Sequence, residues 1–296
     1  MRKILLFSFI ILPFFLFTAC EKENGETGTL KLYITDSPID SDGITNVYIT
    51  VTGIQYHTAE DGWQVVEEYE GPKKFDLLDL QRGKSELLGS FELEAGTYTQ
   101  IRFLLDAPQR GGGPPSSPGS YLVFEDGSEK NLFVPSGAQT GYKAVGTFTV
   151  PMNGTVEVTA DFDVRKSVVK AGASGLYILK PTIRLQVNDQ AGQIEGEVLN
   201  IPEETETVVY AYKSGTYEES EADDPAEEEI RFPNAVSSDM ADEDGFFHLA
   251  YLAPGTYDLV IVSMAEGEFS QVLGIVEDVL VESNITTSVE VDIEEL

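Results

Sequence analysis

The sequence predicts an all-β protein built as two antiparallel β-sandwich domains in series. Three observations predict it. Apolar residues alternate with polar ones along much of the chain, as in Leu30, Leu32 and Ile34 or Val47, Ile49 and Val51. A period of two marks a strand with one buried face. Four Asp-Gly pairs, Asp42-Gly43, Asp61-Gly62, Asp126-Gly127 and Asp244-Gly245, stand between such runs, and Asp-Gly suits the positive φ angles of tight hairpins. Helical spacing is scarce, with one short turn expected over Val164–Lys170.

The chain opens with Arg2 and Lys3, then an apolar run from Ile4 to Phe17 broken only by Ser8 and Pro13. Such a run is too short for a membrane-spanning helix, which needs about 20 residues, and it fits the apolar stretch of a secretory signal peptide. It ends in Phe17-Thr18-Ala19-Cys20. Small residues before a cysteine resemble a lipobox, where bacterial lipoproteins are cleaved and diacylated, although Leu is usual at the place of Phe17. The resemblance implies a signal peptide over 1–19, lipid on Cys20 and a polar tether over 20–27. An ordinary signal peptide cut nearby and an uncleaved anchor are the alternatives. Cys20 is the only cysteine, so no intrachain disulfide can form. Each buried methylene contributes about 0.8 kcal/mol and one acyl chain holds only marginally, so two or three chains make the anchor lasting. The acidic stretch Glu21–Glu26 resembles the surface-export signal of Bacteroidota lipoproteins. The expected location is therefore the bacterial outer membrane, facing the cell exterior, with the periplasmic face as the alternative.

The first domain is expected over 28–188. After Gly53 the apolar phase flips from Val47, Ile49 and Val51 to Ile54 and Tyr56, which suggests a β-bulge. Further strands are expected near 63–66, 90–93, 97–105, 121–124, 131–134, 146–150, 155–162 and 177–187. The stretch Gln109–Ser120 lacks apolar side chains and is rich in Gly, Pro and Ser, so it reads as a flexible loop within this domain.

The second domain is expected over 191–296, with strands near 245–251, 256–262, 272–281 and 286–293. The whole chain carries a net charge of −32, unevenly spread. Residues 1–190 hold 17 Lys and Arg against 24 Asp and Glu, a net of −7, whereas residues 191–296 hold 2 against 27, a net of −25. Such a field repels nucleic acid and anionic headgroups. Glu218–Glu229 holds eight carboxylates in twelve residues and is expected to stay solvated. The two domains echo each other: Leu93-Glu94-Ala95-Gly96-Thr97-Tyr98 matches Leu252-Ala253-Pro254-Gly255-Thr256-Tyr257. The alternation that follows disagrees, which points to a bulge or to local convergence.

Three segments in order, Gly192–Val198, Asp244–Leu249 and Leu252–Leu259, resemble the carboxypeptidase-regulatory-like, transthyretin-like domains. The resemblance implies a seven-stranded accessory sandwich without catalysis. Some relatives form Lys–Asn isopeptide bonds, but Lys213 is the only lysine here and sits beside an expected loop, so no such crosslink is expected. The first domain resembles a family of lipoprotein domains of unknown function found in Bacteroidota. Its marks are Leu32–Pro38, Gly62-Trp63, Phe75–Leu80, Gly96–Arg102 and Lys180-Pro181, and it implies location and fold rather than chemistry.

No catalytic set stands out. A Ser nucleophile needs a base beside it, usually His, and His57 and His248, the only two histidines, fall one in each domain. Ser167-Val168-Val169-Lys170 fits Ser-x-x-Lys without its companion motifs. Calcium is the sharper option, since Asp36, Asp40 and Asp42 cluster in one loop and Asp239, Asp242, Glu243 and Asp244 in another, and calcium takes six to eight oxygens. The competing reading is turns whose Asp side chains bond nearby N–H groups. Asp36 or Asp76 is expected to pair with Arg102. Trp63, the only tryptophan, anchors a hairpin or stacks on a sugar, with Tyr33, Tyr48 and Tyr56 as neighbours. The expected protein is a non-catalytic surface lipoprotein for binding, adhesion or assembly, held to a membrane by lipid on Cys20, with an extracellular protein or glycan as partner. A carbohydrate-binding component of a glycan-uptake system and a carboxylate-dependent hydrolase are the alternatives.

Overall fold

A computed structural model describes residues 26–37, 43–58, 60–108, 119–134, 141–180, 182–226 and 229–296. The signal-like run, Cys20, Asp40, Asp42, Pro38, Pro181 and most of the Gly/Pro-rich loop lie outside them. The fold is all-β. Among the described residues the one α-helical segment is α1 (Val164–Ser167), and no helix is long and apolar enough to cross a membrane.

Thirteen strands up to Val187 form one sheet. They are β1 (Thr27–Ser37), β2 (Ile44–Thr58), β3 (Gly62–Val65), β4 (Lys73–Asp76), β5 (Glu86–Glu94), β6 (Gly96–Leu105), β7 (Tyr121–Phe124), β8 (Glu129–Phe133), β9 (Tyr142–Val150), β10 (Thr155–Asp163), β11 (Val168–Ala171), β12 (Leu176–Leu179) and β13 (Ile183–Val187). The hydrogen-bonded order is β11-β12-β8-β7-β2-β6-β9-β13-β10-β1-β5, with β3 and β4 also on β2. β2 reaches so many partners because it is 15 residues long and bulged: its pairing with β6 slips between Val51 and Gly53, where the sequence flips phase. The sheet curls over one core, bringing Phe103 of β6 to 5.4 Å from Phe162 of β10, ring centroid to centroid.

Seven strands follow from Gly192 on: β14 (Gly192–Leu199), β15 (Glu206–Lys213), β16 (Ser237–Met240), β17 (Phe246–Leu252), β18 (Gly255–Ala265), β19 (Glu268–Val281) and β20 (Thr286–Asp292). They form a three-stranded sheet, β17-β14-β20, and a four-stranded one, β16-β15-β18-β19. One apolar core, with Ile194, Phe247, Leu249 and Leu259, lies between the sheets. A second, with Tyr210, Tyr212, Val260, Val262 and Phe232, lies on the outer face of the four-stranded sheet.

Two expectations are corrected. The sheets are mixed rather than antiparallel, since β1·β10, β8·β12, β9·β13 and β14·β20 pair in parallel. Asp-Gly turns fix only sequence neighbours: Asp61-Gly62 closes the β2–β3 hairpin with Gly62 at φ +71°, and Asp126-Gly127 joins β7 to β8. Asp244-Gly245 instead joins strands of different sheets. The acidic run is not wholly solvated either. Glu221 is buried, accepting from Tyr212 Oη at 2.9 Å and from the N–H and side-chain amide of Asn234 at 3.1 and 3.0 Å. Ala222 and Phe232 beside it are apolar, so this part of the loop covers the second core.

Candidate functional site

The richest polar chemistry lies where the two sheet systems meet. β1 and β10 run side by side from Thr29 opposite Thr155 to Ser37 opposite Asp163. At their shared end the buried Asp36 accepts from Val164 N–H at 3.0 Å. Asp163 accepts from Lys166 N–H at 3.1 Å, an N-cap that turns the chain into α1. Two carboxylates thus fix a single helical turn that aims Arg165 and Lys166 at the second unit. Arg165, only 4% exposed, donates through Nη1 to the carbonyls of Arg231 and Phe232, both at 2.9 Å, and stands 5.2 Å from the Tyr210 ring centre. Lys166 Nζ donates to Ala235 O and lies 3.3 Å from Asp163. Burial pushes the Lys166 ammonium below its ordinary pKa, and Asp163 opposes that shift.

A second contact comes from the turn between β4 and β5. Arg82 donates to Met240 O at 2.8 Å and stands 3.6 Å from the carboxylates of both Asp239 and Asp242. Asp239 is buried and accepts from His248 N–H at 2.7 Å and Met240 N–H at 3.0 Å. Burial nevertheless outweighs those bonds and Arg82, so its carboxyl is pushed up to about 6. The His248 ring is held between Arg82 O, 3.1 Å from Nδ1, and Gln193 Oε1, 3.0 Å from Nε2. Tyr251 donates to Ser85 Oγ at 3.0 Å from a backbone at φ +52°. That φ is uncommon for a bulky residue, and it falls where the β14–β17 pairing is irregular.

Two clefts flank these contacts. One of about 310 Å³ is lined by Lys166, Arg184 and Lys213 among others, and one of about 260 Å³ by Gln193, Tyr251 and Asn284 among others.

The candidates read from sequence are only partly gathered here. Asp36 and Asp239 reach the junction, as positioners of backbone. Asp242 accepts from the N–H groups of Asp244 and Phe246 at 3.1 and 2.9 Å, the Asx-type turn that competed with calcium. Asp244 is exposed. Among the described residues no three His, Cys, Asp or Glu side chains gather as a metal site would need. Trp63 packs among side chains of the first unit. The Arg102 guanidinium sits 3.8 Å from its ring centre, Lys143 at 5.9 Å and His57 edge-on at 5.1 Å. Arg102 therefore does not pair with Asp36 or Asp76 as expected. β-register places it beside Gln55, whose Oε1 it meets at 3.2 Å, while Asp76 accepts from Asn46 and Val47. Tyr48 packs tilted against Tyr121 and Tyr56 meets Tyr98 edge-on, so they build no platform with Trp63. Ser167 of the Ser-x-x-Lys pattern is buried and accepts from Thr182 N–H at 3.0 Å.

Residues 27–181, more than half of the chain, match the family model described as Domain of unknown function (DUF4382). The chain belongs to that family. The DUF4382 match stops just before β13, which the sheet places between β9 and β10. No curated protein matches the chain. Among solved structures it is similar to GBS52, the minor pilin of the gram-positive pathogen Streptococcus agalactiae, at 12% identity over 88% of this chain and 94% of that one, with a TM-score of 0.23. It is similar to the Bacillus anthracis TIE protein at 12% identity and a TM-score of 0.21, over 90% of this chain and 34% of that one. The chain thus spans about a third of the TIE protein. A leucine-rich repeat protein from Bacteroides thetaiotaomicron gives 12% identity and a TM-score of 0.19, over 90% of this chain and 26% of that one. No function is carried over from likenesses this slight.

Proposed function

We propose that this DUF4382 protein is a non-catalytic, lipid-anchored module of the bacterial outer membrane that presents its acidic second unit to an extracellular protein or glycan. In this reading Cys20 carries the lipid, residues 28–188 and 191–296 are two domains, and the second is a carboxypeptidase-regulatory-like accessory sandwich. Its seven strands in sheets of three and four agree with that reading.

The observation that carries the proposal is the direction of β1. It begins at Thr27, next to the tether, and after 11 residues ends at the junction. At roughly 3.3 Å per residue the α1 contact lies about 33 Å along β1 from Thr27, while the chain enters the second unit nearer, after Asn188 N–H donates to Glu157 O opposite Lys31. β10 runs parallel beside β1 and delivers Arg165 and Lys166 to the same end. Charge screening acts over about 8 Å at physiological ionic strength. Even that near end is about 13 Å along β1 from Thr27, beyond the screening length, so a unit of net charge −25 meets little repulsion from an anionic membrane. The histidines support the non-catalytic side of the reading, since one edges Trp63 and the other is wedged between units.

Mass spectrometry of the mature protein tests the anchor, and protease treatment of intact cells tests the display. The expected results are an acylated N-terminal cysteine, lost in Cys20→Ser, and early digestion of the second unit at the cell surface. An unacylated mature chain would sink the anchor. Resistance on intact cells with digestion after lysis would move the protein to the periplasmic face.

A further inference from the structure

We propose that the larger cleft beside the junction is a binding site for a small organic oxyanion: a carboxylate or sulfate carried on a compact, partly apolar body such as a sugar ring. The inference is independent of the lipid anchor. Lys166 and Arg184 of the first unit and Lys213 of the second line this cleft, with Asp163 the one carboxylate among its lining residues. Asp161 pairs with Arg184 and Asp163 with Lys166, so Lys213 leaves the opening with one positive charge in excess, a local inversion in a chain of net charge −32. A shielded cleft focuses such a field on an entering anion.

Lys213 makes the strongest case. It is one of two cations against 27 carboxylates in residues 191–296, yet among the described residues it forms no ion pair. It stands exposed at the end of β15, opposite Tyr257. The other two cations are held in place. Arg184 grips Asp161, with Nε at 2.7 Å and Nη2 at 2.6 Å, and Lys166 is fixed by Ala235 O and Asp163. The cleft is therefore preorganised on one wall and offers an exposed lysine on the other. Its remaining surface includes Val145, 62% exposed, which gives an apolar body something to cover. The volume of about 310 Å³ falls at the lower end for small-molecule sites, and such sites favour boundaries between domains. Because both units supply cations, an occupant would also tie them together.

Titration calorimetry of the full-length protein with glucuronate, glucose 6-sulfate, glucose and inorganic sulfate tests the proposal. Binding of glucuronate or glucose 6-sulfate is expected, and whichever is tighter names the oxyanion. Affinity should fall as sodium chloride is raised. Lys213→Glu, an exposed change, should weaken binding by about tenfold or more, equivalent to at least about 1.4 kcal/mol, with an unchanged melting midpoint. Silence from both sugar anions at millimolar concentration would overturn the proposal, as would undiminished binding by Lys213→Glu or equal binding of glucose. Inorganic sulfate binding as tightly as either sugar anion would overturn the claim that the site reads an organic body.

Discussion

β6 and β18 begin alike and continue differently. Each follows a turn through Gly-Thr-Tyr, and each tyrosine is buried with its hydroxyl donating to the carbonyl four residues back: Tyr98 to Glu94 and Tyr257 to Ala253, both at 2.7 Å. This is the geometry of a tyrosine corner. Beyond it, β6 slips register between Tyr98 and Gln100 and then buries Ile101 and Phe103 on one face. β18 buries both faces, giving Leu259 and Ile261 to the core between its sheets and Val260 and Val262 to the core outside them. The corner is a local device for starting a strand. What covers the strand afterwards decides its pattern, and on β18 the outer cover includes a loop that the first unit grips.

The largest effect should come from loosening that grip. Arg165→Ala removes the donor to Arg231 O and Phe232 O. Two poorly satisfied carbonyls and a cavity should cost about 2 to 4 kcal/mol. Hydrogen exchange should quicken at the amides of Val260 and Val262, under the loop, while Phe103 on β6 stays protected. Equal quickening in both strands would show that the second cover does not depend on the first unit.

A smaller effect separates the units by their buried carboxylates. Asp161 of the first is gripped directly by Arg184, while Asp239 of the second has Arg82 only at 3.6 Å. The Asp239 carboxyl, raised from 3.8 to about 6 by burial, binds its proton more tightly folded than unfolded. Such a group costs stability above its folded pKa, and the cost fades as pH falls through about 6 towards the unfolded value. Between about pH 7.5 and about pH 5 the native protein should therefore gain about 1.4 kcal/mol relative to Asp239→Asn. Parallel pH profiles from urea unfolding of the two proteins would remove Asp239 as the source.

The strands were legible because each half-buried one writes its period into the sequence, and the flip at Gly53 located the slip in β2. β18 was legible as a strand, but its doubly buried run Leu259–Val262 could not announce a second core, since both faces are apolar. The parallel pairings were hidden because partners such as β1 and β10 lie more than a hundred residues apart. Most of the junction was hidden for a similar reason. Arg82, Arg165 and Lys166 look like surface cations until the fold sets backbone carbonyls before them. The one local signal was Asp163 followed at once by Val-Arg-Lys, an N-cap with two cations behind it in an acidic chain. The acidic loop misled because charge density hid Tyr217, Ala222 and Phe232, whose burial fixes its path.

The finest test of the comparison is a pair of tyrosine-to-phenylalanine changes. Tyr98→Phe and Tyr257→Phe each delete one hydroxyl and leave the ring in its core, so each should cost about 1 kcal/mol in denaturant unfolding, the net worth of one hydrogen bond. If the corner is the same device in both units, the two losses should agree within about 0.5 kcal/mol. Tyr98 also stacks on Phe148 at 5.3 Å and meets Tyr56 edge-on at 5.6 Å, but the phenylalanine ring keeps both contacts. A difference would therefore report the hydrogen bond alone. A cost at Tyr98 with none at Tyr257 would mean that β18 is fixed by its two cores and that its corner is a likeness of sequence without mechanical consequence.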